Sequence, residues 1–369
     1  MTTTVTCQAG TGLDRLREQL DKAGFAALLL TSPGARRYAL GRTPGLADGT
    51  AVLLTTEGTM TSAAGDLPTA ITAVLRAGGV ADGVVGADAD LPWEVFGQVS
   101  EAGVRLRPAA DLVFTELASG EPGELPAVAA AVDLAAVGYT AVMDHLRVGM
   151  DVRELSGNVD RSIRRAGGLL GWYDPCGPYG TYNPYGPTGR AAGTDLVTVR
   201  GHDPGTARLT AGTPVRFVLH PLLDGVAGYA AATAVLGEPD GPLRAAGAAC
   251  AAATASLLAA LRPGAPLRDG CEAFDREAFD REAFDREAFG RETGEHAAAC
   301  RIVALRGGGA SLPLPRDSAV TAEPGMVLGI RTEVAVPGRG AVELAETVVL
   351  TDSGAEPQAR TPLRLVELH

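Results

Sequence analysis

Two β-branched, apolar segments that lie close together, Val215–Leu219 and Val226–Leu236, constrain most strongly how this chain can fold. A Leu-Leu-Asp-Gly sequence that ends at Gly225 separates them, and such a sequence is typical of a tight turn between strands. The pattern therefore predicts a pair of neighbouring strands in the second half of the chain.

The length and the charge of the chain limit what the protein can be. A chain of 369 residues is long enough for two domains, each with its own core. The formal net charge of −12 argues against nucleic acid or an anionic membrane as a partner, because both require a basic surface. Lys22 is the only lysine, which excludes a Schiff-base lysine elsewhere in the chain.

The cysteines and the N-terminus favour a cytoplasmic protein. Met1–Val5 has neither the basic nor the apolar part of an export signal, and we expect no apolar run of transmembrane length. An odd number of cysteines without CxxC spacing fits a reducing compartment better than a disulfide framework. These cysteines are Cys7, Cys176, Cys250, Cys271 and Cys300.

Predicted strands and helices alternate along the first part of the chain, which indicates an α/β domain. A helix that Gly24 ends precedes a buried strand over Phe25–Thr31. Further elements are predicted as strands over 50–56 and 83–86 and as helices over 67–77 and 91–101. The polar, Gly/Pro-rich stretch Ser119–Glu124 is typical of a linker, so we expect one domain over residues 1–120 and a second over 121–369.

The second part of the chain contains long predicted helices over 126–146 and 243–261, and a loop over Gly171–Arg190. Glycine and proline exclude regular structure in this loop. It could be a packed or disordered loop, the lid or wall of a substrate site, or an interface. As a lid, it would offer four tyrosines for substrate binding: Tyr173, Tyr179, Tyr182 and Tyr185.

A pentapeptide repeat follows, with EAFDR units that begin at Glu272, Glu277 and Glu282 and an EAFGR unit at Glu287. Each unit places its glutamate four residues before an arginine, which is the favourable order on a helix. Five residues turn a helix by about 140° beyond a full turn, so the phenylalanines form no single stripe. We interpret the repeat as a charged surface helix without a chemical role.

Several segments resemble the pita-bread metallopeptidases (aminopeptidase P, prolidase and methionine aminopeptidase) and their metal-free relative creatinase. Tyr38–Gly41 resembles the family's "YLSG", Arg147–Leu155 its "RPGMTERELA", and Glu323–Met326 its "LEPGM". Val342–Leu350 resembles "VRIEDTVLV". The resemblance implies an α/β (α+β) fold, with a creatinase-type N-terminal domain followed by a pita-bread domain, and a homodimer.

The same resemblance places the family's metal-ligand positions on residues that bind hard divalent cations poorly. Such cations require several converging carboxylates or imidazoles. We therefore expect no catalytic metal and no other cofactor. The positions correspond to Val218, Tyr229, Cys300, Arg331 and Ala345, and Gly307 stands at the family's second histidine.

One histidine resembles a catalytic residue of the family. The segment around His202 is similar to creatinase's "AHNPVTNR", in which the histidine transfers protons without a metal. His202 is thus the candidate general acid/base, since imidazole titrates near neutral pH. The alternative is that His202 is an ordinary loop residue. Ala231 and Ala345 replace the glutamates that orient creatinase's substrate, which argues against a guanidinium substrate.

Arg331 brings a fixed positive charge to a position where the family has a carboxylate. A buried guanidinium favours a carboxylate or phosphate partner. Arg331 could therefore bind a small anionic molecule with help from the Tyr229 hydroxyl, or form an internal ion pair. Glu333, Glu343 and Glu346 are the candidate internal partners.

Two functions follow. The first is a metal-independent enzyme in which His202, Tyr229 and Arg331 perform hydrolase- or lyase-type acid/base chemistry. Its substrate would be a small carboxylate-bearing or amide compound, in specialised biosynthesis, with Cys300 and the four loop tyrosines as further contacts. The second is an inactive, peptidase-like binding or scaffold protein. An open pocket where these residues converge favours the enzyme, and a pocket filled by side chains favours the scaffold.

Overall fold

The computed structural model describes most of the chain. The described residues are 2–6, 12–40, 50–57, 59–64, 66–80, 83–88, 96–97, 99, 103–120, 125–170, 194–197, 208–223, 226–280, 298–305, 312–315, 317–336, 339–358 and 361–368.

The first part of the chain forms a six-stranded sheet. Its strands are β1 (Thr2–Thr6), β2 (Ala27–Leu30), β3 (Thr50–Thr55), β4 (Thr59–Ala64), β5 (Val84–Ala87) and β6 (Arg105–Pro108). They lie in the order β1-β4-β3-β2-β5-β6, in which β2, β5 and β6 are parallel and the other neighbours antiparallel. All side chains of β2 and β3 are buried, because both faces of the sheet are covered.

Four described helices accompany this sheet: α1 (Gly12–Lys22), α2 (Pro33–Leu40), α3 (Leu67–Gly78) and α4 (Ala110–Ala118). The chain leaves α1 through Gly24, whose φ of 70° lies in the left-handed region that glycine adopts without strain. Arg15 on α1 forms an ion pair of 2.9 Å with Glu116 on α4. These elements confirm the alternating pattern predicted from the sequence, although the predicted helix over 91–101 lies largely outside the described residues.

Four described helices belong to the second part: α5 (Leu125–His145), α6 (Val152–Arg165), α7 (Gly241–Ala260) and α8 (Arg268–Asp280). By length and composition, α5 and α7 could cross a membrane, which corrects the expectation that no apolar run reaches that length. In the apolar window of each, 44% of residues are buried inside the protein, and a core helix has the same composition.

A nine-stranded sheet dominates the second part. Its strands are β8 (Thr194–Val197), β9 (Pro214–Leu219), β12 (Ala230–Leu236), β13 (Ala298–Ala304), β14 (Leu312–Pro313), β15 (Val327–Val336), β16 (Gly340–Thr351), β17 (Gly354–Pro357) and β18 (Val366–Leu368). The order is β14-β13-β15-β16-β12-β9-β8, with β17 beside β16 and β18 beside β12. A separate three-stranded sheet contains β7 (Leu169–Leu170), β10 (Pro221–Leu223) and β11 (Val226–Ala227).

The strand pair predicted from the sequence forms, but its second strand is interrupted. β9 pairs with β12 from Leu219 opposite Ala230 to Pro214 opposite Val235. Between them the chain leaves the large sheet to form β10 and β11. Gly228 stands at the interruption, and a Cβ atom there would lie 2.2 Å from the carbonyl oxygen of Ala131 on α5. The close approach of the backbone to α5 therefore requires glycine at this position.

The predicted boundary at residue 120 stays a prediction. The two large sheets come from separate parts of the chain. However, side chains of both parts, such as Phe114 on α4 and Leu328 on β15, belong to one continuous apolar core.

The first unit of the pentapeptide repeat is more than a solvated surface. It lies in α8, where Phe274 and Ala278 are buried in the core while Glu272 and Arg276 are exposed. This side of α8 packs on the sheet, which refines the interpretation of the repeat as a charged surface helix. Most of the second unit also lies in α8, whereas residues 281–297, with the third and fourth units, lie outside the described residues.

Candidate functional site

The positions singled out by sequence come together on one face of the nine-stranded sheet. Val218 on β9 pairs with Ala231 on β12, Ala231 pairs with Ala345 on β16, and Ala345 pairs with Arg331 on β15. Side chains directly opposite each other across a sheet lie on the same face. The four residues therefore form one row across the sheet, and this row ends with Arg301 on β13, opposite Arg331.

A buried cluster of charges lies one step along the strands from this row. Glu343 on β16 and Glu333 on β15 face each other directly, an arrangement in which two carboxylates repel. Arg216 on β9 contacts both: its Nη1 lies 3.4 Å from Glu333 Oε2 and 4.0 Å from Glu343 Oε2. Arg331 Nε contacts Glu343 Oε1. We refer to Arg216, Glu333, Glu343 and Arg331 as the charge cluster.

Because the four side chains of the cluster are buried, their charges have to be balanced within the protein. The exposed fractions of the four side chains are 8% for Arg216, 7% for Glu333, 2% for Glu343 and 12% for Arg331. A charge removed from water is costly unless an opposite charge accompanies it. Two guanidinium groups balance two carboxylates here, so the cluster has no net formal charge. Glu343 is one of the internal partners that the sequence offers Arg331, and the two side chains are in contact.

Two threonine hydroxyls fix the backbone on which the cluster is built. Thr233 pairs with Arg216 across β9 and β12, and its Oγ1 accepts a hydrogen bond of 2.8 Å from the Glu343 amide and donates one to the Glu343 carbonyl. Thr347 Oγ1 accepts from the Tyr229 amide at 2.9 Å and donates to the Tyr229 carbonyl. These bonds join β12 to β16 on both sides of the Ala231–Ala345 pair.

Tyr229 and His220 lie beside each other one step along the strands from the row, on the side opposite the charge cluster. Their ring centroids are 4.5 Å apart, and Tyr229 is completely buried. The Tyr229 ring occupies the space above Gly329, since a Cβ there would lie 2.9 Å from its Cδ1. Burial, and secondly the positive charge of Arg331, lower the pKa of His220 to about 3. His220 is therefore neutral at physiological pH.

Apolar side chains fill the space around the row. Val303, Leu305 and Val327 of the sheet and Val128 and Val132 of α5 form one buried cluster with the row residues Val218, Ala231 and Ala345 and with Tyr229. A cavity of about 510 Å³ lies elsewhere, along α5, and is lined by residues such as Asp133, Asp144 and His145. The described residues of the row are thus packed among apolar side chains.

Cys300 lies on the opposite face of the sheet from Arg331. It pairs with Thr332, whose side chain points away from that of its neighbour Arg331. Thr332 Oγ1 contacts Cys250 and Thr254 on α7, so this face is the one that α7 and α8 cover. Arg301 occupies the corresponding position in the row, one residue beyond the position assigned by sequence. The substrate contact predicted for Cys300 would therefore be separated from Arg331 and Tyr229 by the sheet.

Other predicted site residues lie outside the described residues. His202, the candidate acid/base, falls in this group, as do Gly307 and the loop tyrosines Tyr173, Tyr179, Tyr182 and Tyr185. Their roles stay predictions.

The residues present do not fit a divalent metal. In the row, Val218 and Ala345 have no donor atoms, and Arg331 carries a positive charge that repels a cation. The described parts of the chain contain no group of three or more His, Cys, Asp or Glu residues that could hold a metal ion. Glu333 and Glu343 lie one step along the strands from the row, and both contact arginines.

The sequence analysis missed Arg216, and from the sequence His220, which follows Val218 by two residues, is predicted to be a structural or surface residue. Arg216 lies two residues before Val218, so the period of two residues along a strand places both side chains on one face. That spacing, together with the rarity of arginine in a strand with buried neighbours, could have identified it. His220 continues the same alternation beyond Val218.

Comparisons with known proteins agree with this architecture. The sequence model of metallopeptidase family M24 matches residues 127–352. No curated protein matches the sequence.

Solved structures match the chain along nearly its whole length. A dipeptidase from Pyrococcus horikoshii OT3 has 17% identity and a TM-score of 0.65, covering 97% of this chain and 100% of its own. An Xaa-Pro dipeptidase from Bacillus anthracis has 18% identity and a TM-score of 0.63, with coverages of 97% and 99%. For a prolidase from Thermococcus sibiricus the values are 15%, 0.67, 99% and 100%. These matches confirm the predicted fold, an N-terminal α/β domain followed by a pita-bread domain.

Glu343→Gln should strongly destabilise the protein. The substitution keeps the shape of the side chain but leaves two buried guanidinium groups with one carboxylate between them. We expect the free energy of unfolding to fall by about 3 kcal/mol, as measured by urea denaturation. The matched control is Glu323→Gln, at an exposed glutamate, which should change it by less than about 0.5 kcal/mol. Equal small losses in both variants would contradict a structural role for the cluster.

His220 should make the protein less stable as the pH falls. Its pKa is about 3 in the folded protein and has an ordinary value of 6.5 in the unfolded chain. Below pH 6.5 the unfolded chain therefore binds a proton that the folded protein does not. This lowers the free energy of unfolding by up to about 1.4 kcal/mol for each pH unit. His220→Gln should lose less stability than the wild type between pH 7 and pH 5 in urea denaturation. Parallel losses in the two proteins would exclude His220 as the cause.

Proposed function

Because the chain belongs to metallopeptidase family M24, we propose that it is a non-catalytic member of that family, in which an internal charge cluster replaces the metal centre. In this proposal the protein acts by binding rather than by hydrolysis. The observation that carries it is the contact between Arg331 and the buried carboxylate of Glu343.

The contact bears directly on ligand binding. A small anion that binds Arg331 has to share its positive charge with Glu343, which is already present at close range and is exposed by only 2%. Displacing Glu343 would leave a carboxylate buried beside Glu333, so the competing anion would also have to overcome that penalty. The positive charge at Arg331 is thus used within the protein.

The neighbouring residues are equally poor in catalytic groups. Tyr229 is fully buried and packs on His220, and a histidine with a pKa of about 3 is a weak base at neutral pH. Val218 and Ala345 contribute methyl groups only. A site composed in this way supports packing of the sheet better than it supports proton transfer.

A metal-independent enzyme is the second candidate. The observation that favours it is the contact of His220 with Tyr229 beside the row that contains Arg331, because the charge of Arg331 acts on His220. In this version His202 is the general acid/base, and Arg331 holds a small carboxylate-bearing or amide substrate. The reaction would be a hydrolysis or a lyase-type elimination in specialised biosynthesis. A cytoplasmic homodimer is proposed in either case.

Metal content and peptide hydrolysis test the first proposal. Protein purified without a histidine tag should contain less than about one tenth of an equivalent of Mn, Co and Zn by mass spectrometry. It should not cleave Xaa-Pro dipeptides after incubation with Mn²⁺ or Co²⁺, under conditions in which the prolidase from Thermococcus sibiricus serves as the positive control.

Two results would contradict that expectation in different ways. Stoichiometric metal, together with peptide hydrolysis that a chelator abolishes, would show that the protein is an active metallopeptidase. Turnover of a small carboxylate substrate that survives chelation, and that Arg331→Met abolishes, would instead support the second candidate.

A further inference from the structure

Two cysteines from different elements meet on the helix-covered face of the nine-stranded sheet. Cys271 lies in the first turn of α8, and Cys300 lies in β13. Their Sγ atoms are 2.7 Å apart, although the residues are separated by 29 positions in the sequence. Both side chains are partly exposed and both are free thiols. The sheet separates this pair from the charge cluster.

We propose that Cys271 and Cys300 are an oxidisable dithiol that closes to an intramolecular disulfide when the protein meets a small disulfide such as oxidised glutathione. A disulfide bond requires the sulfur atoms at about 2.05 Å, so closing this pair needs only a small movement of the side chains. A pair already held in contact forms a bond with little loss of chain entropy, because the fold has positioned both thiols beforehand.

The two thiols have different parts in the reaction. Burial, and secondly the contact with Cys271, raise the pKa of Cys300, so Cys300 keeps its proton while the two Sγ atoms stay in contact. The Cys271 thiolate attacks one sulfur of oxidised glutathione, forms a mixed disulfide and releases one glutathione thiolate. Cys300 then loses its proton and attacks the Cys271 sulfur, which releases the second glutathione. Two protein thiols are oxidised, and one glutathione disulfide is reduced to two thiols.

The bond would enclose the pentapeptide repeat. The repeat units begin at Glu272, directly after Cys271, and the last ends at Arg291, before Cys300. A disulfide between the two cysteines would therefore fasten the beginning of α8 to β13 and close the whole repeat-containing segment into a loop. Oxidation would thus add a covalent link between the two ends of this segment, and reduction would remove it.

Cys250 provides an internal comparison. It is fully buried on α7, and its Sγ lies 3.8 Å from both Thr332 Oγ1 and the Val342 carbonyl oxygen. Burial raises the pKa of Cys250 to about 12. A thiol that is both protonated and inaccessible should not react with glutathione disulfide, whatever happens at the other pair.

Peptide mapping of the wild-type protein tests the proposal. The native protein is treated with oxidised glutathione, its remaining thiols are alkylated in denaturant, and trypsin is added. We expect the peptides 269–276 and 292–301 to be joined by a disulfide in most molecules, and dithiothreitol to separate them. Cys250 should be recovered alkylated. When the protein is unfolded in urea before oxidation, the preference for this pair should disappear.

The variants Cys300→Ser and Cys271→Ser separate the two steps. In Cys300→Ser, glutathione should remain attached to Cys271, because the thiol that resolves the mixed disulfide is missing. In Cys271→Ser, little glutathione should be bound at Cys300. Recovery of both wild-type peptides alkylated after native oxidation would overturn the proposal, as would a stable glutathione adduct on wild-type Cys271. The mapping needs no variant, so poor folding of either substitution leaves the test intact.

Discussion

The site depends on the contact of Glu343 with Arg331, which lies among buried strands of the nine-stranded sheet. Glu343 is exposed by only 2% and lies directly opposite a second carboxylate, that of Glu333. In so little water, each charge must find its counterion within the protein. Arg216 and Arg331 supply these counterions from strands on either side, so the interaction joins β9, β15 and β16 through side chains as well as through the sheet.

This arrangement offers a physical reason why an M24 sheet can do without the family's ligand residues. Carboxylates gathered at one place repel each other unless a cation lies between them. In this chain Val218 and Ala345 remove charge from the row, while Arg331 adds a covalently attached cation that pairs with Glu343. Apolar residues from the sheet and from α5 complete the packing. The four charges of the cluster thereby balance one another, and apolar side chains pack around the row.

Local patterns sufficed to predict much of the fold, whereas contacts between distant segments were harder to infer. The alternation along β9 and β12 and the apolar lengths of α5 and α7 follow directly from residue type. The sequence also offered Glu343 as one internal partner for Arg331, but it left the choice open because a charge alone does not reveal which partner is within reach. The resemblance to the family assigned a ligand position to Cys300, but the repeat lies between Cys300 and the preceding matched segment. A shift of one residue in the match reverses the face of the sheet on which a side chain lies. The break at Gly228 depends on the close approach of α5, which no local pattern encodes.

A double-mutant cycle between Arg331→Met and Glu343→Gln measures most directly whether the positive charge at Arg331 is used inside the protein. Unfolding free energies of the wild type, both single variants and the double variant give the coupling between the two side chains. If the cluster replaces the metal centre, the coupling should be about 2 kcal/mol or more, because each side chain stabilises the folded protein much less once the other is removed. Additive effects of the two substitutions, with a coupling near zero, would contradict the account and would leave Arg331 available for a ligand.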